Sequence, residues 1–335
     1  MEDVYFDERY GRLFEQIENG VAEIFEFRHD AGVIRHLFIK REIPLNLQGR
    51  RYYDLVTPYG YGGPQILQCE EGRQAELVAA FEGAFQEYCS SNYVVSEFIR
   101  FHPLSGNAED FRSCYDVAYL RETVGTNLKA YADPVEAEFS KSVRKNIRQA
   151  LRAGVEYRTT LQPTDLSGFK SIYYQTMERN GADAFYYFAD DYFNRLMELL
   201  GEHVLLIEVL FEGRVIGAAV NLVFNNLAHT HLSGHLSEFN RLAPASVLYY
   251  ALALWGKAHG IDLIHGGGGR TNEADDSLLQ FKKGFGAQSG FKFHAGRKIW
   301  NREVYQELCV RMNVPANTEY FPAYRSVPIN EFNCV

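Results

Sequence analysis

Tryptophan is scarce in this chain, at 2 residues against 24 Phe and 22 Tyr, and methionine is nearly as rare at 4. Cysteine is sparse and unpatterned. Cys69, Cys89, Cys114, Cys309 and Cys334 are odd in number and form no CxxC, which excludes a disulfide-stapled mini-protein and predicts a reducing compartment. No apolar run reaches the length of a membrane span: the longest helical one, 242–256, falls short of the roughly 20 residues needed. The opening MEDVYFDERYGRLFEQIENG is acidic, with no basic segment before an apolar one. No secretion signal is expected, and the cytoplasm is the expected location. Positive charge is in deficit. Lys and Arg number 34 against 43 Asp and Glu, for a net charge of −9, which weighs against a general nucleic-acid binder. GxGxxG and GxxxxGK[ST] are missing, and so is the GxSxG elbow of serine hydrolases.

What is present is ordinary globular material. Hydrophobic residues make up 46% and charged residues 23% of 335, enough for one or two sizeable cores. Segments 23–29 and 33–42 flank Asp30-Ala31-Gly32 and predict a hairpin. A strand is expected at 51–57, ending in TPYGYGGP, followed by a helix over 72–91 with Leu77, Val78, Phe81, Phe85 and Tyr88 on one side. Strands are expected at 94–101 and 115–120. Asp133-Pro134 then opens one helix that runs to about Ala153. The second half repeats this style. It has a strand at 155–160, helices at 164–180 and 189–200, strands at 204–211, 215–224 and 228–235, a helix at 244–259, a strand at 261–265, a glycine run, a helix at 275–284, a strand at 290–297 and a last helix at 301–311. This order predicts an α/β (α+β) fold with mixed, mostly antiparallel sheets flanked by helices.

Four constellations carry chemistry. In SLLQFKKGFGA (277–287), Phe281 and Phe285 share a stripe with Leu278, leaving Lys282 and Lys283 at a helix end where the dipole favours a cation. IHGGGGR (264–270) follows an apolar strand; it is either a plain turn or an amide cradle for an anion. In AHTHLSGH (228–235), strand alternation puts His229, His231, Ser233 and His235 on one face. No carboxylate or cysteine spacing supports a metal there, and none is expected. A ligand-facing polar strand or a hydrogen-bonded cluster fits better. In AEFSKSVRKNIRQALRAG (137–154), Arg144, Arg148 and Arg152 are spaced by four, with Lys141 and Lys145 beside them. Residues 141–158 hold six basic residues and one acid, a net of +5. That is either a solvated face or a site for a phosphate-bearing partner.

In order along the chain stand YGYGGP (59–64), FIRFHP (98–103), SKSVRKNIRQALRAGV (140–155), HLSGH (231–235), APASVLYYALALWGKAHG (243–260), GGGG (266–269) and FKKGFG (281–286). Together they resemble FemAB-like proteins of the GNAT acyltransferase superfamily, from about Val21 to Leu308. FKKGFG after a glycine-rich strand end is the most specific part. The resemblance implies two tandem GNAT-like domains, 1–154 on the acceptor side and 155–335 on the donor side. It implies transfer of an acyl or aminoacyl group to an amine, without a tightly bound cofactor. Founding members append amino acids to a peptidoglycan precursor from aminoacyl-tRNA. Many relatives in cell-envelope or polysaccharide pathways are thought to use an acyl thioester.

The same resemblance distributes roles. A donor such as acyl-CoA (acetyl-CoA) would lie beside 228–235 and the helix opening at 243–246. Its contacts would be Phe281, Gly266, Gly267, Gly268, Ser233, Arg241 and Ser246. The usual [QR]xxGx[GA] pyrophosphate loop is replaced by FNRLAPAS (239–246). Lys282 and the glycine amides are candidates for stabilising an oxyanion, and His231 or His235 for accepting the amine proton. Tyr59, Tyr61 and Gly62, with Arg144, Asn146 and Arg148, are the candidate acceptor contacts, for an amino sugar or amino acid precursor, free or nucleotide-linked. The alternative is a tRNA-dependent aminoacyltransferase, against which stand the acidic total and the lack of room between 204 and 235 for the long helical arm of founding members. A third reading, of another class, is a catalytically silent domain that binds a glycan or nucleotide.

Overall fold

The computed structural model describes residues 2–326 apart from Gln48 and Ala274. Cα packing divides the chain into two compact units, 5–120 with the residues from 293 onward, and 2–4 with 121–292. These units differ from the expected halves 1–154 and 155–335. The chain leaves the first unit at β6 (Asp116–Asn127), before the basic helix, and returns to it at β12 (Gly290–Ile299). Long-range strand pairing, which spacing along the sequence does not encode, sets that division. Among the described residues no helix is long and apolar enough to cross a membrane.

The first unit opens with short helices α1 (Glu8–Leu13) and α2 (Glu15–Glu18), then the hairpin β1 (Gly20–His29) and β2 (Gly32–Glu42). β2 also pairs β3 (Tyr53–Val56) and β4 (Gln65–Cys69), and β3 runs parallel to β5 (Val94–Arg100). β4 carries no alternation and escaped the sequence reading; its last three residues are exposed. The helix α3 (Gln74–Ser91) buries Leu77, Val78, Phe81 and Phe85 against this sheet, as its periodicity predicted, with Cys89 buried and the expected Tyr88 only partly so. A single turn, α4 (Asn107–Asp110), follows. Beneath them Glu97 is fully buried. It is held by His36 (2.5 Å), the Tyr115 hydroxyl (3.1 Å) and Trp300 Nε1–H (3.1 Å).

The second unit contains α5 (Pro134–Glu138), α6 (Lys141–Arg152), β7 (Glu156–Leu161), α7 (Ser167–Arg179) and α8 (Asp190–Leu200). Next come β8 (Val204–Phe211), β9 (Arg214–Phe224), β10 (Leu227–His235), α9 (Pro244–Ala258), β11 (Leu263–Gly268) and α10 (Ser277–Lys283). The last helix, α11 (Arg302–Arg311), belongs to the first unit. Strands β7 to β10 form an antiparallel meander with tight turns at Glu212-Gly213 and Asn225-Asn226, as expected. The single helix expected over 134–153 is two. Asp133 caps the first, accepting from Glu136 N–H at 2.9 Å, and Ser140 caps the second, accepting from Val143 N–H at 3.4 Å. Between them Phe139 is extended and buries its ring against Phe285 at 5.1 Å. A side-chain cap plus a buried aromatic outweighs the propensity to continue the helix.

Candidate active site

β10 and β11 lie side by side in parallel for three rungs only: Leu227 with Leu263, Ala228 with Ile264, His229 with His265. Then they part. β10 continues against β9, and β11 continues against β6. Each strand carries an irregularity at the parting, between Thr230 and Leu232 and between His265 and Gly267. Two strands that lose each other this way leave facing edges that no strand satisfies. Such buried backbone needs another partner. Thr230 spans the apex, its hydroxyl donating to the Gly266 carbonyl at 3.1 Å.

The bulge changes which side chains share a face. Thr230, Ser233 and His235 stand opposite Asn221, Ala219 and Gly217, whereas His229, Leu232 and Gly234 stand opposite Leu222, Val220 and Ala218. His231 is the extra residue. The single face expected for His229, His231, Ser233 and His235 therefore does not form, because one inserted residue inverts the alternation after it. His229 is instead buried against Asp3, with both carboxylate oxygens near 3 Å from Nε2. His231 shares a 2.5 Å hydrogen bond with the Tyr192 hydroxyl. Burial, then the neighbouring His229, push its imidazole down to about 3. His235 is also lowered, by burial first and Arg179 next.

The glycine run also differs from expectation. Gly266–Gly268 are strand, and Gly267 and Gly268 pair with Val124 and Thr123. Gly267 sits at φ +73°, which suits glycine at a bulge. A Cβ on Gly269 would lie 2.4 Å from Asp276 Oδ1. That carboxylate organises the turn into α10. It accepts from the Leu279, Arg270 and Thr271 N–H groups at 2.8–2.9 Å. Burial pushes Asp276 up, yet these donors outweigh it and hold it at about 2.

The helix so anchored delivers Lys282. Its ammonium donates to the Gly268 carbonyl at 2.7 Å, and the described residues give it no other hydrogen-bond partner. An ammonium has three N–H donors, so two remain to meet a ligand. Burial lowers Lys282 to about 8, with Asp276 raising and Arg121 lowering it further. Phe281 stays 37% exposed beside it. Tyr249 of α9 stacks on Phe285 at 4.2 Å. Its hydroxyl is 3.2 Å from where a Gly266 Cβ would stand, and burial raises it to about 12. The sequence reading missed Tyr249. A tyrosine inside the otherwise apolar VLYYALALW was the available signal.

The other expected residues scatter. Ser246 is buried in the first turn of α9, whose Pro244 abuts Gly217 opposite His235, so this helix starts beside the β10 end. Ser233 and Arg241 are exposed. On α6, Arg144 is consumed by Glu136, through its side chain at 3.0 Å and its carbonyl. Arg158 pairs with Glu208. The exposed stripe is Lys141, Lys145, Arg148 and Arg152, at i, i+4, i+7 and i+11, opposite buried Ile147 and Ala150. Asn146 is exposed outside the stripe. Tyr59, Tyr61 and Gly62 fall in the first unit. There the Tyr61 ring is buried against Tyr5 and Phe293, the Gly62 N–H pairs with the Arg100 carbonyl, and the Tyr59 carbonyl accepts from Tyr10. The one metal-like group among the described residues, His29, Asp30 and Glu76, is bridged by Arg73.

Residues 137–283, the stretch containing the parted strands and Lys282, match the acetyltransferase (GNAT) domain family. No curated protein matches the sequence. Among solved structures the chain is similar to FemX, with a TM-score of 0.70 at 14% identity, covering 91% of this chain and 94% of that one. It is similar to a domain provisionally named the C-terminal domain (DUF2156) of a lysylphosphatidylglycerol synthetase from Agrobacterium fabrum, with a TM-score of 0.54 at 12% identity and coverages of 88% and 89%. L-PGS from Bacillus licheniformis follows at 0.51 and 13%, covering 93% and 98%. These identities speak for fold alone. The segment that holds the candidate site is thus similar to the acetyltransferase (GNAT) domain family, within a fold shared with FemX along nearly the whole chain.

Proposed function

We propose that this protein is an N-acyltransferase that moves an acyl group from a thioester donor to the amine of an amino sugar or amino acid precursor, in cell-envelope or polysaccharide synthesis. The observation that carries this reading is Lys282: a cation lowered by burial, tied by one bond to Gly268, with two N–H groups left beside the parting of β10 and β11. The donor's amide-bearing arm extends the unsatisfied edge of β10, and its phosphates meet the start of α9 near Arg241 and Ser246. Phe281 and Tyr249 cover the apolar part. As the amine attacks the carbonyl carbon, charge gathers on the carbonyl oxygen, and Lys282 stabilises it. His235, neutral at working pH, accepts the amine proton; the thiolate then leaves. Both substrates are held together, so no protein nucleophile is required. The α6 residues Asn146 and Arg148 serve the acceptor.

A second reading has an aminoacyl ester on RNA as donor. The exposed stripe Lys141, Lys145, Arg148 and Arg152 favours it. The stripe's helix is tied to FKKGFG by Ser140 N–H donating to the Gly284 carbonyl at 2.9 Å. A donor screen tests both. Purified protein is assayed by thermal shift and transfer with acetyl- and longer acyl-CoA, and with charged tRNA in parallel. Stabilisation and transfer with acyl-CoA are expected; transfer from charged tRNA alone overturns the thioester reading.

A further inference from the structure

Tyr192 is a residue that neither the GNAT motif nor the sequence pattern singles out, yet among the described residues it makes the one side-chain hydrogen bond to the bulged histidine. Its ring is stacked on Phe188 at 4.3 Å and stands edge-on to Phe193 at 5.3 Å, so its hydroxyl has little freedom. That hydroxyl meets His231 Nε2 at 2.5 Å. No described residue bonds Nδ1. The β-bulge frees His231 from the β10–β9 ladder two residues beyond the last rung with β11.

We propose that Tyr192 donates its hydroxyl proton to His231 Nε2, holding the imidazole neutral with its own proton on Nδ1, so that His231 serves the acyl-transfer site as a hydrogen-bond donor and not as the base. Tyr192 is thus a positioning residue. A phenol is a stronger acid than a neutral imidazole N–H, so it takes the donor role in the pair. An imidazole bonded at one nitrogen has its tautomer set there, and the other nitrogen faces the chemistry. The low proton affinity of His231 agrees with this: a group buried beside His229 resists becoming imidazolium. His235 is left as the base. The role, though not the tautomer, rests on the acyltransferase reading.

The test is ring-nitrogen NMR on the full chain carrying 15N-histidine, with His231 assigned by His231→Gln. At neutral pH the spectrum is expected to show Nδ1 protonated and Nε2 bare but hydrogen-bonded. An Nε2–H tautomer or an imidazolium in the parent protein overturns the proposal without any variant. Tyr192→Phe is expected to populate the Nε2–H form and to lower kcat by about tenfold or more, with donor KM nearly unchanged. Unchanged turnover in that variant, with the tautomer shifted, overturns the role. Failure of every donor to give transfer overturns the proposed function, and the role with it, while the tautomer measurement stands.

Discussion

Glu97 in the first unit and Lys282 in the second are both ionisable groups withdrawn from water, and they are treated in opposite ways. Glu97 is closed off. His36, Tyr115 and Trp300 converge on its two oxygens, and aromatic rings wrap the set. Lys282 has a single carbonyl and two N–H groups to spare. The first arrangement is what a core does with a polar group it must keep. The second leaves desolvation uncompensated, which is how sites capable of chemistry differ from satisfied interiors.

Four measurements press on that contrast. The largest effect is expected at Glu97. Glu97→Ala should lower unfolding free energy by about 3–5 kcal/mol in urea titration, because it strands buried His36, Tyr115 and Trp300. Turnover of the folded fraction should stay unchanged; a loss in kcat with normal stability would move Glu97 into the machinery. Lys282→Ala should cut kcat by roughly 10²–10³, near 3–4 kcal/mol, without lowering Tm. The pH dependence has a definite sign. A lysine lowered to about 8 in the fold costs stability below that pH, and the cost fades as pH rises toward the ordinary lysine value. Lys282→Met should therefore stabilise more at pH 7 than at about pH 10. Parent activity should fall above about pH 8, and Lys282→Arg should remove that fall, since a guanidinium stays charged. A flat profile in the parent breaks the cation assignment.

Smaller effects follow for the supports. Asp276→Ala removes the cap of α10 and should cost about 1–2 kcal/mol, with a milder loss of kcat than Lys282→Ala. A loss equal to that of Lys282→Ala would mean the carboxylate itself acts. Smallest of all, Arg148→Ala should weaken binding of tRNA or another polyanion by a few-fold and reduce its salt slope by about one. Arg144→Ala, already paired with Glu136, should not. If the two behave alike, the exposed stripe is not the binding face.

Much of this was legible in the sequence. Turn chemistry and period placed the β8–β10 meander and α3 close to where they lie. FKKGFG pointed to Lys282, whereas Asp276, which caps its helix, fell inside the helix expected over 275–284. The α6 charges were legible as a basic segment, but not which of them stay exposed; Arg144 and Glu136 meet across a helix break that propensity does not show. The histidine strand misled because alternation holds only until a residue is inserted, and nothing local announces the bulge at His231. Tyr61 was read as a site residue and is packed among rings, since tyrosine serves a core and a pocket equally well.

The sequence by itself determined most of the elements, the family resemblance and the scarcity of tryptophan and positive charge, because these depend on residue identity and neighbours a few positions apart. Only the tertiary structure decided where the units divide, that β10 and β11 part after three rungs, and that Tyr192 and Tyr249 reach that parting. Those facts arise from pairings between segments tens to hundreds of residues apart. There, desolvation and a shared hydrogen bond decide what a side chain does.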